Sequence, residues 1–136
     1  MPMSTNERPL SPHLQIYKLE LPMVLSGLHR ISGIALSVGS ILLVAWILSA
    51  VHSAEAFAGM NSFLRSYVGQ FVLFGWTFSL IHHSVNGVRH LIWDTGRLLE
   101  VNQINSSSKI VLAIVIVLTL LAWILGGGFP FPGGGA

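Results

Sequence analysis

The sequence predicts an all-α integral membrane protein with three transmembrane helices and a cytoplasmic N-terminus. Its helical bundle is expected to be completed by a second membrane polypeptide. Three observations predict this. First, 52% of the 136 residues are hydrophobic and only 9% are charged, whereas a soluble domain carries about one quarter charged residues. Second, residues 31–54, 66–88 and 110–136 contain no Asp, Glu, Lys or Arg, and each can supply the roughly 20 residues that carry a helix across a bilayer. Third, the basic residues are unevenly placed. Arg8, Lys18 and Arg30 precede or open the first span, and Arg89, Arg97 and Lys109 flank the loop between the second and third. Basic short loops mark the cytoplasmic side, so the first loop and the C-terminus are expected outside.

The chain then divides in order. Residues 1–23 form a polar arm with scattered charge and prolines. It has neither a basic segment plus short apolar core nor an Arg-rich amphipathic presequence, so the mature chain is expected to begin near Met1, in a bacterial inner membrane. A transmembrane domain follows over 24–128, with helices expected at about 24–51, 67–93 and 109–128. The last span has the short apolar run "IVLAIVIVLTLLAWIL" and needs the following glycines and Phe129 to complete its crossing. Residues 129–136 are a Gly/Pro tail. The chain has no cysteine, which excludes disulfides and thiolate or iron–sulfur ligation within it. The net charge of +2 gives no footprint for nucleic acid.

The second span carries the unusual chemistry. It ends in "LIHHSVNGVRHLIWDTG", residues 80–96. At about 100° per residue, Gly87, His90 and Asp94 fall within about 40° of His83, and the same face runs back through Ser79 and Gly75. An imidazole at this depth is costly unless it faces a partner or cavity. Glycine one turn away lets a flat, bulky group approach the backbone, and a neutral imidazole is a ligand for haem iron. The alternative is a histidine packed and hydrogen-bonded between helices. His82 points about 100° away and is the competing ligand; the shared glycine favours His83, but spacing alone leaves both open. Gly75 and Ser79 read as packing residues.

His83 is about ten residues, or roughly 15 Å, from the expected cytoplasmic end of its helix. The residue of the first helix level with it is expected near Ile34, with His29 about five residues closer to the cytoplasm. His52 falls at the opposite surface. A six-coordinate haem therefore requires its second axial ligand from another polypeptide. His29 and His90 fall where propionates pointing to the cytoplasm would lie; ordinary interfacial histidines are the alternative. The first span opens with "SGLHRISG", residues 26–33. Ser26 and Arg30 are four residues apart and share a face, which Gly33, Ser37 and Ser40 continue. A hydroxyl beside a guanidinium suits a quinone, whose oxygens gain negative charge on reduction. The alternative is an arginine reaching to the headgroups. Asp94, at the same surface, could pass protons or pair with Arg30, Arg89 or Arg97.

Two segments carry a resemblance: "RPLSPHLQIYKLELPMVLSGLHRISG", residues 8–33, with its Ser-x-x-His-Arg-x-Ser, and "HSVNGVRHLIWDTG", residues 83–96. In order, spacing and placement they resemble the cytochrome b, or large membrane-anchor, subunits of succinate dehydrogenase (complex II). The resemblance implies that His83 is the axial ligand of haem b, with the other ligand from the smaller anchor subunit. It implies that His29 and His90 lie near the propionates and that Ser26, Arg30 and Asp94 serve the quinone site. The arm would lie against the iron–sulfur subunit, which passes electrons from a flavoprotein subunit to ubiquinone or menaquinone. The isolated chain is then not itself catalytic; it is a non-flavin subunit of succinate:quinone oxidoreductase. Rival readings are a fumarate reductase anchor running in reverse, a self-contained di-haem cytochrome, and a non-redox transporter or scaffold. The di-haem reading lacks the mid-membrane histidine pairs it needs.

Overall fold

A computed structural model describes residues 17–127. The expected Gly/Pro tail and most of the expected N-terminal arm lie outside the described residues. The described chain is all helical among those residues, in the order α1 Leu21–His52, α2 Ala54–Arg65, α3 Tyr67–Asp94 and α4 Val101–Leu125.

Helix α1 opens three residues earlier than the charge pattern implies, with Pro22 in its first turn. A proline there loses no intrahelical hydrogen bond, and its fixed φ suits the helix. The expected second span matches α3 within a residue at each end. Ser66 starts it, its hydroxyl accepting from the Gly69 amide at 3.2 Å. Gly96, at φ +77°, ends it, donating its amide to the Trp93 carbonyl.

Two expectations need correction. The segment between the first two spans is not a plain loop but α2, twelve residues long. Ser53 caps it, accepting from the Ala56 amide at 3.0 Å, and Glu55 lies in its first turn; both stabilise a helix start. Trp46 on α1 donates its indole N–H to Asn61 on α2 at 3.0 Å, folding α2 back on the end of α1. The last helix runs Val101–Leu125 rather than 109–128. Its polar start, "VNQINSSSK", is helical because Ile104 and Ser108 face α3 and bind Arg89. Gly127, at φ +66°, follows its end.

Helices α1 and α3 run antiparallel: His29 and Gly33 meet His83, while Gly39 meets the Trp76 indole. Helix α4 returns along α3, with Arg89 against Ser108 at one end and Phe74 against Trp123 at the other. The interior reverses that of a soluble protein. Its buried apolar residues are Leu25, Val111 and Val115, while Ser32, Ser79, His82, Asn86, Arg89, Ser108 and Thr119 are buried beside them. Large apolar side chains such as Ile31, Ile41, Leu48, Ile110 and Leu125 face outward along α1 and α4. That distribution suits a hydrocarbon surround, where packing rather than the hydrophobic effect draws helices together.

By length and composition α1 and α4 can cross a membrane. Helix α3, 28 residues long, extends about 42 Å at 1.5 Å per residue. It is not among the helices apolar enough by that measure, because Gln70, His82, His83, Asn86, Arg89 and His90 interrupt it. Two candidate spans are therefore present among the described residues where composition predicts three.

Candidate functional site

The antiparallel pairing brings the first turns of α1 beside the last turns of α3. Three histidines named from the sequence meet there. The His29 and His83 rings stack with centroids 4.1 Å apart and planes 20° from parallel. The His90 ring centroid lies 5.1 Å from that of His29, with the planes tilted by 34°. His83 faces the stretch from His29 to Gly33, which ends one residue before Ile34, the residue expected near its level. Its Nδ1 lies 3.1 Å from the His29 carbonyl and 3.3 Å from the Ser32 hydroxyl. Gly33 makes this possible, since a Cβ there would sit 3.1 Å from His83 Cε1.

These contacts set the chemistry of His83. A carbonyl oxygen only accepts, so Nδ1 carries the proton and donates it to His29. The lone pair of the neutral ring then resides on Nε2, which makes no hydrogen bond with a described residue. A backbone carbonyl on one ring nitrogen commonly orients a histidine whose other nitrogen ligates a metal. Face-to-face stacking also means that His29 and His83 cannot both aim a nitrogen at one iron between them. Among the described residues no group of three His, Asp or Glu side chains is arranged to hold a metal ion.

His82 is in the opposite condition. It is 1% exposed, stacked on Phe78, with Nε2 accepting from the Asn86 amide at 3.1 Å. Its ligating lone pair is already used, and its Nδ1 is buried without a partner. His82 faces the interior, whereas His83 is half-buried at the helix pair's margin.

Gly87, on the His83 face, has nothing within 4 Å of the position a Cβ would occupy, and neither does Gly75. No described residue fills that face. His29 Nε2 and Trp93 Nε1 are buried without hydrogen-bond partners. Ser26 is half-buried and Arg30 exposed in the first turns of α1, while Asp94 is exposed at the end of α3. All three stand at the histidine end of the bundle, and none bonds to another described residue. Ser37 and Ser40 do not extend a ligand face: each donates to a carbonyl of its own helix, those of Gly33 and Ser37.

The sequence reading gave no role to Asn86 or Ser108 and left Arg89 as one of several partners for Asp94. Arg89 is 4% exposed and binds α4 instead. Its position between two histidine-bearing turns was a signal; the identity of its partners on a helix 15 residues away was not.

Fold and site thus define an all-helical membrane protein that stacks histidines at one end of a helix pair. The chain belongs to the succinate dehydrogenase/fumarate reductase transmembrane subunit family, whose model matches residues 4–122. It is 40% identical to the succinate dehydrogenase cytochrome b556 subunit of Paracoccus denitrificans over 123 residues, 90% of this chain and 95% of that one. It is 42% identical to the mitochondrial cytochrome b560 subunit of Mus musculus over 122 residues, 84% of this chain and 69% of that one. The cytochrome b556 subunit of Rickettsia felis is 34% identical over 119 residues, 88% of this chain and 93% of its own length.

Proposed function

We propose that this chain is the cytochrome b anchor of a succinate:quinone oxidoreductase in a bacterial inner membrane. It crosses the bilayer three times, with α3 as the middle span, and its histidine end faces the cytoplasm. The observation that carries the reading is the placement of His83: its Nδ1 lies 3.1 Å from the His29 carbonyl, which leaves Nε2 without a partner among the described residues. It is supported by the open face at Gly87 and the unpartnered nitrogen of His29. Haem b fits this set: His83 Nε2 would ligate its iron, and His29 and His90 would bind its propionates. The stacking of His29 on His83 supports a reading in which a partner anchor subunit would supply the iron's other ligand. A bound haem supplies one-electron storage between two subunits. The polar residues of α3 are compatible with a span because they face neighbouring helices or the haem rather than lipid.

Ser26, Arg30 and Asp94 serve the quinone. The Ser26 hydroxyl donates to a carbonyl oxygen of the ring, and Arg30 stabilises the negative charge that grows there as electrons arrive. Asp94, exposed at the same end, delivers protons from the cytoplasmic side. Electrons come from an iron–sulfur subunit seated on that face, fed by a flavoprotein; ubiquinone or menaquinone accepts them. The chain supplies placement and electrostatics, and the redox chemistry belongs to the cofactors.

Purification of the complex in mild detergent, mass identification of its partners and a dithionite-reduced spectrum test this. The expected result is a b-type absorption band with copurifying flavoprotein and iron–sulfur subunits. A colourless chain that purifies alone would leave the scaffold or transporter reading standing.

A further inference from the structure

We propose that Arg89 is a positioning residue and a fixed charge for the histidine cluster, acting from the α4 side through Trp93; this rests on the haem reading above. Arg89 is 4% exposed. Its Nη2 donates to the Ser108 hydroxyl at 2.6 Å and the Ile104 carbonyl at 3.1 Å. Its Nε is buried without a partner, and no carboxylate among the described residues pairs with it. Among the described residues the cation is therefore held by neutral groups alone. A clasp between two helices does not need this, since apolar residues of similar volume join helices at lower cost than a buried charge.

The guanidinium has a second contact. It lies over the Trp93 ring, 4.3 Å from the centroid. Trp93 meets His90 edge-on at 4.9 Å, His90 lies 5.1 Å from His29, and His29 stacks on His83 at 4.1 Å. An unbroken file of ring contacts thus runs from the α4 anchor to the imidazole whose Nε2 is free. Arg89 pins one end of that file, so it sets the Trp93 ring directly, the His90 ring through Trp93, and the His83 ring through His90 and His29. Its charge acts as well. A cation in a medium of low dielectric favours the more negative, reduced state of any redox group nearby.

Redox titration and electron paramagnetic resonance of the haem in the whole purified complex separate these effects from simple support. In Arg89→Gln the midpoint potential falls and the low-spin g-values shift. In Arg89→Lys the potential stays near that of the wild type, because the charge remains, while the g-values shift, because an ammonium cannot lie flat on Trp93 and bind Ser108 together. An unchanged potential in Arg89→Gln, or an equal fall in Arg89→Lys, overturns the proposal. If Arg89→Gln does not assemble, Trp93→Leu decides: shifted g-values with haem retained support the file of contacts, and wild-type g-values overturn it. A wild-type complex without haem would instead remove the reading on which this one rests, and is seen before any variant is made.

Discussion

Replacing Gly33 by alanine puts a methyl group 3.1 Å from Cε1 and 3.5 Å from Nδ1 of His83. Ordinary carbon contacts are about 3.5–4.0 Å, so the ring must retreat by roughly half an ångström. The His83–His29 hydrogen bond, 3.1 Å long, then stretches toward about 3.5 Å, beyond useful geometry. Losing it costs about 0.5–1.5 kcal/mol net, and an off-rotamer imidazole costs a similar amount. Against this, alanine is favoured over glycine in a helix by about 1 kcal/mol. Global stability therefore changes little, while the orientation of Nε2 does not survive. Since about 1.4 kcal/mol is tenfold in an equilibrium constant, haem affinity is expected to fall on the order of 10-fold. The assay is the haem-to-protein ratio of the purified complex across a haem-limited growth series, with the thermal midpoint as control. Gly59→Ala, on α2 with nothing near its Cβ, serves as the parallel variant and keeps wild-type haem. Full haem occupancy and an unaltered spectrum in Gly33→Ala would show that His83 is not held by this contact.

Further outcomes follow from other contacts. Gly69 packs against the backbone of Phe63 and Leu64 at the α2–α3 junction, so Gly69→Ala should destabilise by about 1–3 kcal/mol, read as a lower thermal midpoint with haem per assembled complex unchanged. Asn86→Leu leaves His82 Nε2 buried without its donor, a loss of about 1–3 kcal/mol; denaturation should show it while the haem spectrum stays in place. Arg30→Leu removes the cation assigned to the reduced quinone, and steady-state kinetics should show quinone reduction falling on the order of 10²-fold, with succinate oxidation by a soluble dye acceptor preserved.

Much of this was legible because membrane sequences state their spans through the absence of charge. The bounds of α3 and the interior of α1 followed from that absence, and 100° periodicity placed His83, Gly87 and His90 on one face. Helix α2 was missed because its twelve residues are too short and mixed to show a span; the Ser53 cap and Glu55 were the local sign of it. The early start of α4 was missed for a different reason. Asn and Ser are weak helix formers, and the segment is helical because Arg89 binds it from another helix. Spacing could not choose between His82 and His83, since both lie in the same turn. What separates them is their contacts: Asn86, one turn on in the same helix, occupies the Nε2 of one, and the His29 carbonyl on α1 occupies the Nδ1 of the other, leaving its Nε2 free.

That distinction is open to one direct measurement, the reduced-minus-oxidised absorption spectrum of the complex carrying His83→Ala beside that carrying His82→Leu. Loss or marked weakening of the b-type band in the first, with the band retained in the second, is the predicted pair. A normal band in His83→Ala, or its disappearance only in His82→Leu, would contradict the assignment of the free Nε2 as the haem ligand.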